Sequence, residues 1–172
     1  MTKGYVQVYT GNGKGKTTAM LGLALRAVGA GLRVYIGQFM KTGNYSEIAA
    51  ITKHLPQITV EQYGEGYDLG GMACESDFTA ADHGLQKAQA AMLSGEYDII
   101  ALDEINMAAT VGLLPLGSVV ELIKNKPHNV ELVLTGRYAP PDVVAAADLV
   151  TEMRDIKHYY NIGVAARDGV EL

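Results

Sequence analysis

The chain has 172 residues, of which 48% are hydrophobic and 19% are charged, and its formal net charge is −5. This length and balance predict one globular domain with a sizeable core and exclude a disordered chain. The acidic balance, without a basic arm or a Lys/Arg stripe, argues against nucleic acid as a partner.

Cysteine, histidine and apolar patterning exclude further classes. Cys74 is the only cysteine in the sequence, so an internal disulfide and a cysteine-cluster metal site are excluded. The four histidines are scattered and lack the H-x-x-x-H spacing typical of zinc sites. The sequence starts without an apolar signal core, and no apolar run approaches membrane-spanning length. We therefore expect a cytoplasmic protein without a membrane partner, organised as one domain over residues 1–172.

The strongest motif is residues 10–18, TGNGKGKTT. The alternating run at 5–9 predicts a strand before it, and apolar residues at helical spacing over 20–28 predict a helix after it. A glycine-rich turn at a helix N-terminus presents backbone N–H groups and the positive end of the helix dipole to an anion. Residues 15–17, GKT, complete the phosphate-loop pattern G-x-x-x-x-G-K-[ST], although Thr10 replaces its first glycine. The motif predicts a nucleotide site.

Each residue type in this loop has a physical reason. Gly11, Gly13 and Gly15 let the backbone approach phosphate oxygens closely. Lys16 would place an ammonium on the phosphates, and the Thr17 hydroxyl would bind Mg²⁺. The alternative, a surface turn rich in glycine and lysine, does not account for the strand before it and the helix after it.

The rest of the chain alternates between predicted strands and helices. The predicted strands are residues 4–9, 32–39, 58–63, 97–104, 130–135 and 149–153, the last assigned to the core. The predicted helices are one ending near residue 30, then 46–55, 77–94, 105–112, 116–124 and 140–147. Alternation of this kind predicts an α/β domain with a mostly parallel sheet and right-handed crossovers.

Two acids close the near-continuous apolar run at 97–104, which is typical of a central parallel strand. Asp103 and Glu104 thus lie at the carboxyl end of a strand, where open α/β sheets bind their ligands. Because Mg²⁺ sites use one or two carboxylates together with phosphate oxygens, we favour a metal role for this pair. Capping of the next helix is the alternative. Arg137 ends another strand at the same edge, where it either reaches phosphate or is a surface arginine.

Residues 64–76, GEGYDLGGMACES, form the least patterned stretch. A loop of this length is either a binding loop or lid, or a surface loop without a ligand. Tyr67 could stack on a planar ligand, although packing is the commoner role of a single tyrosine.

Taken together, these motifs resemble the ATP:corrinoid adenosyltransferases of the CobA type. The resemblance runs from about residue 4 to the end of the sequence. It rests on TGNGKGKTT, LRAVG at 25–29, QFMK at 38–41, LDE at 102–104, LTGR at 134–137 and KH at 157–158.

The resemblance implies a RecA-like P-loop domain, a homodimer, and ATP bound in reverse relative to ordinary P-loop ATPases. It implies transfer of the 5′-deoxyadenosyl group of ATP to the cobalt of a cob(I) corrinoid, with release of triphosphate, in adenosylcobalamin biosynthesis or salvage. A flavoprotein is the implied reductant. By position, Lys16, Thr17 and Glu104 are the implied catalytic residues, and Thr17 and Glu104 the implied Mg²⁺ ligands. The implied ATP contacts are Gly11, Asn12, Gly13, Lys14, Gly15, Lys16, Thr17, Thr18, Arg26 and Arg137.

Two departures from the family pattern affect the corrinoid side. Family members often carry an N-terminal extension over the site, whereas nine residues precede the loop here. We therefore expect the corrinoid to be covered differently, for example by the partner subunit. The family also uses two aromatic residues in the 64–76 region to displace the lower axial ligand of cobalt. Tyr67 keeps one of them as the implied corrinoid contact, and Glu65 stands at the other position.

Two other functions fit the loop. A P-loop ATPase or kinase would use Glu104 to polarise water or a hydroxyl for γ-phosphoryl transfer. A non-enzymatic, ATP-gated corrinoid carrier would bind both ligands without turnover. The reaction product separates them, because only adenosyl transfer releases triphosphate.

Overall fold

The computed structural model describes residues 1–66 and 73–171. The strands are β1 (Val6–Thr10), β2 (Val34–Phe39), β3 (Ile58–Tyr63), β4 (Ile99–Asp103), β5 (Glu131–Thr135) and β6 (Leu149–Glu152). The helices are α1 (Lys16–Gly29), α2 (Ser46–His54), α3 (Glu75–Leu93), α4 (Ile105–Thr110), α5 (Leu116–Lys124) and α6 (Pro141–Ala146), with a 3-10 turn at Tyr159–Ile162.

The described strands form a parallel sheet in the order β3-β2-β4-β5-β1-β6. Parallel neighbours need crossover connections, and helices supply them here. The carboxyl ends of all six strands therefore lie at one edge, which brings together the loop after β1 and the acids that end β4. The predicted α/β domain with a parallel sheet is confirmed.

The core has two layers, one on each face of the sheet. Met20 of α1 and Ile51 of α2 pack on one face, against Ile36 of β2. The other face is covered by α3, α4, α5 and α6, and Phe39 and Leu102 are buried there. Strands β2, β4 and β5 are buried along their whole length, which explains their near-continuous apolar sequences. The polar residues at their carboxyl ends are therefore held on rigid, fully packed strands.

Most element boundaries differ from the prediction by one or two residues, and two of these differences have a clear physical cause. Glu104, predicted as the last strand residue, has a left-handed φ of 59° and precedes α4. This backbone conformation costs a non-glycine residue on the order of 1–3 kcal/mol. Helix α3 begins at Glu75, two residues early, because the Cys74 N–H donates to the Asp77 carboxylate (2.9 Å) in a capping box.

The prediction that the last strand lies in the core is wrong. All four residues of β6 are exposed, and Leu149 and Val150 are 45% and 42% accessible. The strand lies at the sheet edge, and β1 is its partner among the described strands. Apolar and β-branched residues favour strands in both places, so composition cannot separate an edge strand from a central one.

Membrane insertion finds no support in the helices. Within residues 1–66 and 73–171, none of them combines the length and the apolar character needed to cross a bilayer.

Candidate nucleotide and magnesium site

The loop between β1 and α1 lies against the backbone that follows β6. The Gly13 N–H donates to the Met153 carbonyl (2.7 Å), and the Met153 N–H donates to the Thr10 carbonyl (2.8 Å). A Cβ atom added at Gly11 would lie 2.4 Å from the Met153 carbonyl oxygen, and one added at Gly13 would lie 2.8 Å from the same oxygen. Both glycines are therefore required by the neighbouring backbone, and Gly11 also has a φ of 93°.

Helix α1 begins directly after this loop, with Gly15 as its N-cap at a φ of 120°. Its first turn holds no acidic residue, so its positive end is free to attract a ligand anion. Lys16 is only 6% exposed, and its Nζ donates to the carbonyls of Gly11 (2.7 Å) and Gly13 (2.8 Å). Burial lowers the pKa of Lys16, and the charge of Glu104 opposes this. An ammonium has three donors, so one is left for a phosphate oxygen.

Asp103 is a fully buried carboxylate at the end of β4. Its Oδ1 accepts hydrogen bonds from Thr135 Oγ1 (2.6 Å) and Thr17 Oγ1 (3.0 Å). Its Oδ2 accepts from Lys41 Nζ (2.7 Å) and Gln38 Nε2 (3.4 Å). Because burying a charge costs several kcal/mol, a carboxylate here needs such partners. The network fixes the Thr17 hydroxyl at the start of α1.

Lys41 lies two residues beyond the end of β2 and joins this network. Its Nζ is 3.5 Å from Thr17 Oγ1 and 5.5 Å from the centre of the Tyr45 ring. Burial by itself lowers the pKa of Lys41, but the charge and hydrogen bond of Asp103 outweigh burial and raise the pKa. The ammonium is therefore charged beside the Asp103 carboxylate.

Glu104 has a different environment from its neighbour. Its backbone N–H donates to Thr135 Oγ1 (3.1 Å). Burial raises the pKa of the Glu104 carboxyl, and the charge of Asp103 adds to the rise, while Lys41, Lys16 and Arg137 oppose it. The carboxyl thus stands among cations, whereas Asp103 is enclosed by hydrogen-bond donors.

Lys16, Thr17, Lys41 and Glu104 line a cavity of about 480 Å³, a size typical of small-molecule sites. Its lining combines loop backbone, four cations and three carboxylates. It is lined by Asn12, Gly13, Lys14, Gly15, Lys16, Thr17, Thr18, Leu21, Lys41, Tyr45, Ser46, Glu47, Glu104, Arg137, His158, Gly169, Val170 and Glu171. The arrangement suits a polyanion held at one end of a cleft.

The 158–171 segment closes one side of the cavity. Lys14 Nζ lies 3.2 Å from the Glu171 carboxylate and donates to the preceding carbonyl at 2.7 Å. Glu171 also accepts hydrogen bonds from Arg167 and from the Tyr159 hydroxyl. These two donors hold the pKa of Glu171 well below its usual range. The segment is thereby fastened to the phosphate loop.

The family model described as ATP:corrinoid adenosyltransferase BtuR/CobO/CobP matches residues 2–172. The chain belongs to this family. The corrinoid adenosyltransferase of Escherichia coli (strain K12) is 36% identical, with 98% of this chain and 86% of that protein covered. The Pseudomonas aeruginosa enzyme of the same name is 33% identical, with 99% and 84% covered. Corrinoid adenosyltransferase CobA of Salmonella typhimurium is 33% identical, with 98% and 86% covered.

Family membership confirms the resemblance seen in the sequence and makes the chain a transferase. Among solved structures, the KaiC-like protein PH0186 of Pyrococcus horikoshii OT3 superposes with a TM-score of 0.58, covering 87% of this chain and 73% of that one. At 16% identity, this likeness concerns the fold alone. It fits the predicted RecA-like P-loop domain.

The adenosyltransferase brings most of the predicted site residues to one cavity. Residues 12–18, Glu104 and Arg137 line it, and the Gly11 carbonyl binds Lys16 behind it. Arg26 is exposed, about 15 Å along α1 from Lys16, and is not among the described lining residues. The predicted nucleoside contact of Arg26 therefore stays a prediction.

Tyr67, the predicted corrinoid contact, lies outside the described residues. Its role stays a prediction, like the other assigned roles.

The oxygens at the sheet edge fit Mg²⁺, which prefers hard ligands and keeps several positions for water and phosphate. The Thr17 hydroxyl and the Glu104 carboxylate were the predicted ligands. Asp103, which the sequence also favoured for a metal role, accepts a hydrogen bond from the Thr17 hydroxyl directly. Both acids are therefore candidates for this metal.

Sequence reasoning gave no role to Gln38, Lys41 and Thr135. Each is a polar residue within or just after a buried apolar strand, at its carboxyl end, and that position is the signal that could have identified them. The contacts of Lys14 with Glu171 had no such signal, because the two residues are 157 positions apart and no periodicity links them.

Proposed function

We propose that this adenosyltransferase transfers the 5′-deoxyadenosyl group of ATP to the cobalt of a cob(I) corrinoid, forming an adenosylcorrinoid and releasing triphosphate, in adenosylcobalamin biosynthesis or salvage. One observation carries the proposal: in a chain of this family, Lys16, Lys41 and Arg137 line the cavity of the phosphate loop. This is the charge distribution that a triphosphate leaving group requires.

The proposed step is a substitution at C5′ of ATP. The electron pair of cob(I) forms the Co–C bond, and the C5′–O bond breaks with its pair leaving on triphosphate. Cobalt thereby becomes formally trivalent, and no proton moves at the reacting atoms. Since the substrate itself is the nucleophile, the protein needs no activated serine or cysteine.

The residues of the chain align the reactants and neutralise charge. The loop N–H groups, the start of α1 and the Lys16 ammonium hold the triphosphate oxygens, where charge grows as the bond breaks. Arg137 supplies a further cation from the end of β5. Holding the triphosphate fixes the position of C5′ relative to cobalt, which converts an encounter into an aligned pair.

Thr17, Asp103 and Glu104 would hold Mg²⁺, which neutralises charge on the leaving triphosphate when it is bound. Asp103 orients the Thr17 hydroxyl through its hydrogen bond. Glu104, turned out of the strand by its left-handed backbone, contributes a carboxylate among the cations of the cavity.

Binding and reduction of the corrinoid are proposed to involve a second subunit and a reductant protein. Family resemblance supports a homodimer, a flavoprotein reductant, and Tyr67 as the residue that packs against the corrin and displaces its lower ligand. Arg26 is proposed to contact the nucleoside.

The test is incubation with ATP, Mg²⁺ and chemically reduced corrinoid, following the visible spectrum and the phosphate products. Conversion to adenosylcorrinoid with one triphosphate per turnover is expected. Orthophosphate or a phosphorylated acceptor in place of triphosphate would favour the ATPase or kinase. Binding of both ligands without adenosylation in a single turnover would favour the carrier.

A further inference from the structure

The Lys41 ammonium lies where the proposed Mg²⁺ would have to bind. It contacts the oxygens of both Asp103 (2.7 Å) and Thr17 (3.5 Å). These oxygens are also the candidate Mg²⁺ ligands. A divalent cation and an ammonium cannot share them without strong repulsion, because like charges a few ångströms apart in a poorly solvated site interact by several kcal/mol.

The backbone around Lys41 is built to hold the side chain there. Met40, the residue before it, has a left-handed φ of 59°, which is costly for a residue other than glycine. Gly64 packs so closely against this turn that a Cβ atom added at Gly64 would lie 2.5 Å from the backbone nitrogen of Lys41. The Met40 N–H also donates to the Tyr63 carbonyl (3.0 Å), which ties the turn to β3.

Burial makes the contact with Asp103 consequential. The side chain of Asp103 is inaccessible and that of Lys41 is 19% accessible, so solvent screens the pair weakly. A buried carboxylate without a cation is strongly destabilising. Some cation must therefore stand beside Asp103 throughout the reaction cycle.

We propose that Lys41 is a positioning residue that serves as the counter-ion of Asp103 until Mg²⁺ and ATP arrive, and then yields its place to Mg²⁺. This inference rests on the proposed metal ligands, Thr17 and Asp103. It makes the site bind a bare divalent cation weakly, because the cation has to displace an ammonium. Triphosphate favours the exchange by offering the displaced ammonium new oxygens in the same cavity.

The proposal is tested by Mn²⁺ titration of the full chain without nucleotide, measured by electron paramagnetic resonance. Lys41→Met removes the charge and keeps the length of the side chain. Its Mn²⁺ affinity should rise about ten-fold or more over the unsubstituted protein. Lys14→Met is the matched control, because Lys14 lines the same cavity but pairs with Glu171 and not with Asp103. The Mn²⁺ affinity of this variant should change less than about two-fold.

Thermal melting gives a second readout. Without metal, Lys41→Met should melt below the unsubstituted protein, and Mg²⁺ should raise its melting temperature by the larger increment. Lys41→Arg keeps the charge and should behave as the unsubstituted protein in both assays, which covers the case in which Lys41→Met does not fold. Equal Mn²⁺ affinities of the Met variant and the unsubstituted protein, or tightened binding in Lys41→Arg, would overturn the proposal.

Adenosylation by the unsubstituted protein is measured separately. Tightened Mn²⁺ binding in Lys41→Met without any adenosyl transfer by the unsubstituted protein would support the role of Lys41 and reject the proposed function. Transfer with unchanged Mn²⁺ binding would do the reverse.

Discussion

Two lysine–carboxylate pairs border the same cavity in very different surroundings. Lys41 and Asp103 lie 2.7 Å apart, with side-chain accessibilities of 19% and 0%. Lys14 and Glu171 lie 3.2 Å apart, with accessibilities of 39% and 16%. The first pair connects strand ends of the sheet, whereas the second connects the phosphate loop to the 158–171 segment.

This difference shows that the contribution of a lysine–carboxylate pair to stability depends on how deeply the pair is buried. Asp103 needs all of its hydrogen-bond donors, because loss of one partner of a buried pair leaves an uncompensated charge. In the pair of Lys14 and Glu171 the lysine is 39% accessible and water screens its charge, so we expect this pair to contribute less to folding. We therefore expect the inner pair to control stability and metal binding, and the outer pair to control access to the loop.

The largest expected effect tests the inner pair. Asp103→Ala should lower the free energy of unfolding by about 3–5 kcal/mol, because it strands the Lys41 ammonium and two hydroxyls. Urea denaturation of the full chain measures it. A loss below about 1 kcal/mol would place the inner pair with ordinary surface pairs and remove the distinction.

A third lysine of the cavity sharpens the comparison, since Lys16 donates to two carbonyls and, within residues 1–66 and 73–171, to no carboxylate. Lys16→Ala should lower the adenosylation rate by about 10²–10³-fold, because charge growing on the leaving triphosphate loses its nearest cation. The variant should remain folded, with a modest loss of stability because the Gly11 and Gly13 carbonyls lose their donor. Near-normal turnover in a folded variant would contradict the assigned role.

Glu61 is a partly buried carboxylate whose hydrogen-bond donors are neutral tyrosines, so it tests the effect of hydrogen bonding without a paired lysine. Burial raises the pKa of Glu61, but hydrogen bonds from Tyr63 and Tyr35 outweigh burial and lower the pKa. Since the folded pKa is below the unfolded one, Glu61 stabilises the fold above its ordinary value of 4.5, and this contribution is lost as pH falls through the folded pKa.

Glu61→Gln should therefore cost a few tenths to about 1 kcal/mol at neutral pH, after allowance for partial exposure. The difference from the unsubstituted protein should shrink as the pH falls below 4.5. Denaturation at several pH values measures it, with the exposed Glu96→Gln as control. A difference that grows on acidification would reverse the sign argued above.

The smallest effect is expected at the outer pair. Glu171→Gln should lower the melting temperature less than the substitutions at the inner pair, and high salt should reduce the change, since Lys14 is 39% accessible and its charge is screened. It should ease entry of ATP, which competes for Lys14. A clear loss of stability that survives high salt would show that the 158–171 segment is part of the folded core.

The sequence predicted the inner part of the site better than the outer part. Gly15, Lys16, Thr17 and the two acids were found because local motifs and strand ends determine their positions. The edge placement of β6 and the attachment of Glu171 depend on which distant segments meet, and periodicity carries no information about that. The left-handed backbone of Glu104 was also missed, because its cause is the site and not local propensity.

The position of β1 in the sheet has a consequence for synthesis of the protein. The strand that carries the phosphate loop pairs with β5, where Val6 lies opposite Leu132, and with β6, where Gln7 lies opposite Leu149. Its partners therefore leave the ribosome more than a hundred residues after it, so the two contacts that fix the loop form late. ATP can consequently stabilise only chains that are almost fully synthesised, and the earlier strands have to fold without help from the ligand.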